Sequence, residues 1–434
     1  MKKPINKSFN ISNNLYERAL KVIPLASQTF SKSALNFPRG ATPLFFEKGK
    51  GAYIWDYDGN RYIDYVLGLM PVILGYCDPD VDRSIRSQLN NGIIFSLPSD
   101  LEVQLAEKLI ELIPCAEMVR FGKNGSDVTS AAIRLARAYT GRDRIAVGGY
   151  HGWHDWYIGT TSRKDGVPVC VQELTDTFEY NNLESLERLL QEKKDEYALV
   201  ILEPFSFVRP DHGFLEGVRE LTKKHGSLLG FDEVITGFRV HPGGAQGLLG
   251  VTPDIASFGK GMANGLPLSC VAGKREIMKY FDKIFFSSTF GGEVVALAAA
   301  NKFLDIISDG VVLNNIALHG DKLKVNLKKI IVNCGLSKYM DCLGHGSHWG
   351  LILTPSKPED ALLWRSYLIQ ECTKRGYLFF GSHNPTRAHN DETMTYVMSV
   401  YSEVLPLFAE RLRYNDMIHH MEGKVIDPIF RMHK

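Results

Sequence analysis

Between residues 66 and 305, short β-rich runs alternate with helical stretches, and this alternation constrains the fold more than any other feature of the chain. The runs are RIAVGG (144–149), ALVILEP (198–204), SLLGFDEV (227–234) and SCVAG (269–273). The helical stretches include SDVTSAAIRLARAYTG (126–141) and NLESLERLLQEKKDEY (182–197). Strands separated by helices pair in parallel, so the pattern predicts an α/β domain with a mostly parallel sheet covered on both faces. In such sheets a ligand sits beyond the carboxyl ends of the strands. The strand ends are therefore where chemistry is expected.

The flanks read differently. Residues 12–23 suit a short helix ended by Pro24, and GAYIWDYDGNRYIDY (51–65) alternates apolar and polar residues around Asp58-Gly59, as a hairpin does. Residues 306–434 hold helices flanking HWGLILTP and YLFFGS, an α+β pattern. The expected division is a large domain over 66–305 and a small α+β domain built from both chain ends, 1–65 and 306–434. With 434 residues, 44% of them hydrophobic, the chain can bury a large core. Its 50 basic and 49 acidic residues leave a formal charge of +1 with no basic stripe, which argues against nucleic acid or anionic membrane as partner. No run approaches the roughly 18 apolar residues of a membrane span, and no apolar stretch follows the N-terminal lysines as in a signal peptide. Seven scattered cysteines without a CxxC pair read as reduced thiols of a cytoplasmic protein.

Five strand ends carry candidate groups. In LLGFDEVITGFR, Asp232 lies between apolar neighbours on both sides, so it is expected to be buried and to require a cationic partner. Glu203 ends VILEPF in the same way. In FGKNGSD, Gly125 and Ser126 open a strong helix, where free backbone N–H groups and the dipole favour a phosphate; plain capping by Ser126 or Asp127 explains the same residues. GGYHGWHDW places Tyr150, His151 and Trp153 after a strand, a flat platform for an aromatic ligand. SFGKGMANG places Lys260 among Ile255, Phe258, Met262, Leu266 and Leu268. A lysine there loses hydration, which favours the neutral, nucleophilic amine, whereas an ordinary lysine stays on a solvated face. His151, His154 and Asp155 lack the further ligands a metal needs, and no GxGxxG or GxxxxGK[ST] occurs. HPGGAQG (241–247) reads as a turn. A phosphate seat, an aromatic platform, a buried aspartate and a strand-end lysine together match one cofactor, pyridoxal 5'-phosphate, with its aldehyde, phosphate, flat ring and basic ring nitrogen.

The motifs WDYDGNRYIDYV, IRLARAYTGRDRI, YHGWHDW, ILEP, STFGGE and above all FDEVITGFRVHPGGAQGLLGVTPDIASFGKGMANGLPLS carry a family likeness. The chain resembles class III (fold type I) PLP-dependent aminotransferases, and within them the glutamate-1-semialdehyde aminomutase group, from about residue 15 to about residue 305. The resemblance implies a seven-stranded, mostly parallel sheet in the large domain. It implies that Lys260 forms the Schiff base, that Asp232 pairs with the ring nitrogen, and that Gly125 and Ser126 bind the phosphate. Tyr150 would stack on the ring with His151 beside it, Val234 would pack on the other face, and Glu203 would lie toward the ring hydroxyl. Thr289 would reach the phosphate in a neighbouring subunit, implying a homodimer with composite sites.

Departures from the aminomutase pattern bear on substrate. Where that group has an arginine for the substrate carboxylate, LASQTFSKSALNF offers Lys32, a point charge rather than a fork. FGGE after Thr289 puts Glu293 near the site mouth. Lys32 and Glu293 are thus the candidate substrate contacts. The reading is intermolecular transamination from an amino acid donor to a carbonyl acceptor such as a sugar or small phosphorylated carbonyl compound. The alternatives are the intramolecular amine shift of the aminomutase and a cofactor-binding protein without activity.

Overall fold

The alternating segment forms a seven-stranded sheet in the computed structural model, which describes residues 7–428. Its strands lie in the spatial order Met118–Gly122, Ser269–Gly273, Ile255–Phe258, Leu228–Glu233, Tyr197–Leu202, Arg144–Gly148 and Thr175–Thr177. Ser269–Gly273 runs antiparallel to both neighbours, and the remaining pairs are parallel. This is the fold type I architecture expected from the sequence. The strand Tyr197–Leu202 reads YALVIL and is buried at every position, as a strand covered on both faces must be.

The helix Gly125–Thr140 buries Val128, Ala131, Ala132, Leu135 and Ala136, a stripe at helical spacing, in one core with Ile145, Val147, Leu199 and Ile201 of the sheet. It stops at Gly141, whose φ of 70° is left-handed. Two elements depart from the sequence reading. Thr175–Thr177 is an edge strand too short and polar to show a pattern. HPGGAQG is more than a turn, because Gly244–Leu249 is a short helix. Its amides at Ala245 and Gln246 donate to the buried Glu233 carboxylate at 2.7 and 3.0 Å. Gly244 has φ 74°, and a Cβ there would stand 2.6 Å from Glu233 Oε2, so only glycine fits.

The chain divides into two units. One holds residues 70–72 and 79–314, including the sheet above. The other holds residues 7–69, 73–78 and 315–428. In it, Phe46–Lys50, Tyr53–Asp56 and Arg61–Asp64 form a meander that Tyr377–Leu378 joins in parallel. The Asp58-Gly59 turn of the predicted hairpin also caps a helix, Asn10–Leu20: the Asp58 carboxylate accepts from the amides of Ile11 and Ser12 at 2.9 Å each. A second sheet of Met340–His345, His348–Leu353 and Ser382–His383 shares a core with the helices Asp360–Lys374 and Asp391–Tyr414. Among the described residues no helix is long and apolar enough to cross a membrane.

Candidate active site

Asp232 is the penultimate residue of the strand Leu228–Glu233 and is buried. Its two oxygens accept from different donors: Oδ2 from His151 Nδ1 at 2.8 Å, Oδ1 from the Val234 amide at 3.0 Å. His151 is itself 2% exposed, and its Nε2 finds no protein partner among the described residues. The carboxylate is thereby oriented and kept as an acceptor, with a lone pair left on each oxygen.

Lys260 comes from the adjacent strand. Asp232 pairs in parallel register with Ser257, so Lys260 stands three residues beyond that partner, past the carboxyl edge of the sheet. It is half-buried and opens a short 3-10 turn at a φ of 38°, left-handed for a side-chain-bearing residue. Such a conformation costs about 1–3 kcal/mol and persists where the surroundings enforce it, commonly at functional sites. Burial lowers the pKa of the ammonium, the carboxylates of Asp232 and Glu203 oppose that shift, and the Arg239 guanidinium reinforces it. The result favours a nucleophilic amine.

The third wall is the N-terminus of Gly125–Thr140. Capping there falls to Asn124 and Asp127: Asp127 Oδ2 accepts from the Asn124 amide at 2.7 Å and the Lys123 amide at 3.2 Å. The Ser126 hydroxyl is turned instead toward the Trp153 amide, at 3.4 Å. Gly125 packs so closely on Val234 that a Cβ would stand 2.9 Å from its Cγ1, and a Cβ on Gly152 would stand 2.2 Å from Ser126 Oγ. Gly259 lies between the same groups, with its would-be Cβ 3.5 Å from Val234 and 3.7 Å from Gly125 Cα. Helix N-terminus, Val234 and the turn of Lys260 are therefore packed together at glycines, two of which, Gly125 and Gly152, leave no room for a side chain.

Tyr150 is exposed on one side and packs edge-on against Tyr157, with ring centres 5.5 Å apart. Its amide donates to Glu203 Oε2 at 3.2 Å. Burial pushes the Glu203 carboxyl above its usual range, and the neighbouring Asp232 adds to that. Lys260, Asp232, Glu203, His151, Val234, Gly125 and Ser126 are thus assembled in one unit.

The remaining candidates are Thr289, Lys32 and Glu293. Thr289 is exposed in a loop beside Phe290, itself 58% exposed. Lys32 belongs to the other unit, exposed in the turn Phe30–Lys32. Glu293 caps the helix Val294–Ile307, accepting from the Val295 amide at 2.7 Å, and pairs with Lys123 Nζ at 3.0 Å. Two residues without a role in the sequence reading emerge from the structure. Glu233 caps the Gly244–Leu249 helix, and Arg239 is fully buried with its guanidinium donating to the Met70 carbonyl. The signal for both was a charged residue inside an apolar block.

The donor set fits pyridoxal phosphate. A helix N-terminus can meet a phosphate, Val234 and Tyr150 can flank a ring, Asp232 can meet a ring nitrogen, and Lys260 can meet an aldehyde. Comparison with known proteins agrees. The aminotransferase class-III family model matches residues 36–346. The chain is 37% identical over 413 residues to a 3-aminobutyryl-CoA aminotransferase of Cloacimonas acidaminovorans, covering 91% of this chain and 96% of that protein. It is 37% identical over 393 residues to a glutamate-1-semialdehyde 2,1-aminomutase of Methanothrix thermoacetophila, covering 86% and 87%. The FumI protein of Sphingopyxis sp. MTA144, solved in its PLP form, superposes with a TM-score of 0.86 at 27% identity, covering 96% and 98%.

Proposed function

Because the chain belongs to the class III aminotransferases, we propose that it binds pyridoxal phosphate at Lys260 and transfers an amino group between two separate substrates. The observation that carries this reading is the placement of Lys260 at the end of the strand beside Asp232, whose carboxylate is already oriented by His151 and Val234, with burial lowering the lysine's pKa. The cofactor, when bound, supplies an aldehyde and an electron-withdrawing ring. Everything else is done by this chain. Lys260 would hold the cofactor through its amine and, when free, would serve as the base that moves a proton. Asp232 holds negative charge at the ring nitrogen, which keeps that nitrogen protonated. Gly125 and Ser126 present the positive end of the helix to the phosphate. Val234 and Tyr150 would flank the ring, and Glu203 would lie toward its hydroxyl side.

The substrate class we infer is a β-amino acyl compound and its keto partner. The relative spanning 91% of this chain acts on an aminobutyryl-CoA by its name, which supports this class over a sugar acceptor. The structure engages Glu293 with two amides and Lys123, which leaves it poorly suited to bind a substrate hydroxyl or amine. The active form we infer is a homodimer in which Thr289 serves the partner's phosphate seat, supported by exposed Phe285 and Phe290 beside it. A cytoplasmic location is supported by seven cysteines that are all free.

Incubating the holoenzyme with β-amino acids, then with keto acids or keto thioesters, tests the function through the visible cofactor absorbance. A donor should bleach the band and an acceptor restore it. Rapid turnover of glutamate-1-semialdehyde, with no separate donor able to bleach the band, would establish the aminomutase reading instead.

A further inference from the structure

The segment from Tyr150 to Trp156 is fastened to one face of the helix Gly125–Thr140. Ser126, Thr129 and Ser130 stand at i, i+3 and i+4, so their hydroxyls project to the same side. Ser126 Oγ accepts from the Trp153 amide at 3.4 Å, and Thr129 Oγ1 shares its proton between the His151 and Ser126 carbonyls, 3.3 Å from each. Ser130 makes the two shortest links: its Oγ lies 2.6 Å from His154 Nδ1 and 2.9 Å from Trp156 Nε1. An indole N–H can only donate, so the Ser130 oxygen accepts it, while the direction of its bond with His154 Nδ1 follows the histidine tautomer. On the other side, Thr175 Oγ1 donates to the Trp156 carbonyl at 2.6 Å, tying the segment to the edge strand Thr175–Thr177.

Neither Ser130 nor His154 belongs to the cofactor site itself, but their bond, with that of Trp156 to Ser130, fastens to the helix the far end of the segment that carries Tyr150 and His151. We propose that Ser130 and His154 are positioning residues that lock the ring-stacking Tyr150 and the Asp232-binding His151 onto the helix whose first turn seats the phosphate. The proposal rests on the pyridoxal-phosphate reading of the site. Phosphate seat, ring platform and the partner of Asp232 then hold their spacing as one body. Removing the Ser130 hydroxyl leaves an indole N–H and an imidazole nitrogen without partners, while the helix N-terminus keeps its Asn124–Asp127 cap.

The test compares Ser130→Ala, Ser130→Thr and, as a control on the same helix, Thr140→Ala. The first readout is trypsin cleavage of the apoprotein at Arg163 and Lys164, which lie in the exposed stretch 162–166 soon after the fastened segment. The second is the rate at which the holoenzyme releases pyridoxal phosphate, with kcat and KM measured separately. Ser130→Ala should be cleaved about tenfold faster and release cofactor about tenfold faster, the change expected from one lost hydrogen-bonding group. Its kcat should fall more than its KM rises, Ser130→Thr should recover each value, and Thr140→Ala should match the wild type. Wild-type cleavage and release rates in Ser130→Ala would overturn the proposal, as would a folded Ser130→Thr that recovers neither. Should Ser130→Ala fail to fold, His154→Gln is read by the same two rates against the same two outcomes. The proteolysis arm needs no cofactor, so a chain that bound none would fail the functional reading while still reporting on the fastening.

Discussion

Asparagine at position 232 would keep the shape of the carboxylate and remove its charge. In the wild type, one oxygen accepts from His151 Nδ1 at 2.8 Å and the other from the Val234 amide at 3.0 Å. Asparagine has one oxygen. If that oxygen stays on the Val234 amide, its NH2 faces His151 Nδ1, and the imidazole must move its proton to Nε2. That nitrogen is buried without a protein partner among the described residues. An unsatisfied buried donor costs about 1–3 kcal/mol, so Asp232→Asn should be measurably less stable yet folded. The catalytic loss should be larger. A charge contact in a site closed to water is worth on the order of 3 kcal/mol, or about a hundredfold in rate. Rapid mixing with excess amino donor isolates one half-reaction, followed by decay of the visible band, while borohydride trapping checks that the cofactor remains on Lys260. A cofactor analogue methylated at the ring nitrogen carries a permanent positive charge and should recover more activity in Asp232→Asn than in the wild type. A half-reaction as fast as the wild type's, with unmodified cofactor, would refute the role assigned to Asp232.

Three further outcomes are expected. Borohydride reduction of the holoenzyme and peptide mapping should place the adduct on Lys260; an adduct on Lys123 or Lys274 would break the assignment. Gly125→Ala should lower cofactor affinity at least about tenfold with the fold intact, because its Cβ would stand 2.9 Å from Val234 Cγ1, and adding Val234→Ala should restore part of it; unchanged affinity in the single variant would contradict the close approach. Burial pulls His383 and His389 down to a pKa of about 3 from 6.5, so the unfolded chain takes up these protons first. Their stabilisation is complete above pH 6.5 and is lost as pH falls below it, by about 2 kcal/mol for each histidine between pH 7 and 5. Denaturant midpoints across that range should therefore fall steeply in the wild type and less steeply in His383→Phe, whose stability loss should be about 2 kcal/mol smaller; a flat wild-type profile would count against it.

What could be read from the residues alone was which charged and small residues stand at the strand ends. A short β-branched apolar run bounded by turn residues reads as a strand, and Asp232, Glu203 and Lys260 announced themselves as charged groups set against such runs. Gly125 and Ser126 were legible for the same local reason, as small residues where a strand gives way to a strong helix. Partnership was not legible. His151 bonds Asp232 across 81 residues, and Ser130 meets His154 and Trp156 across 24 and 26. Glu233 turned a glycine-rich stretch into a capped helix, and Glu293, read as a group at the site mouth, is engaged by helix amides and Lys123. In the other unit, His383 stacks on Trp349 at 3.7 Å and bonds Tyr401, a grouping no local pattern announces. Periodicity reports only which side of an element is buried. Which donor meets which acceptor depends on where the chain returns to the sheet, and packing decides that once all the elements are in place.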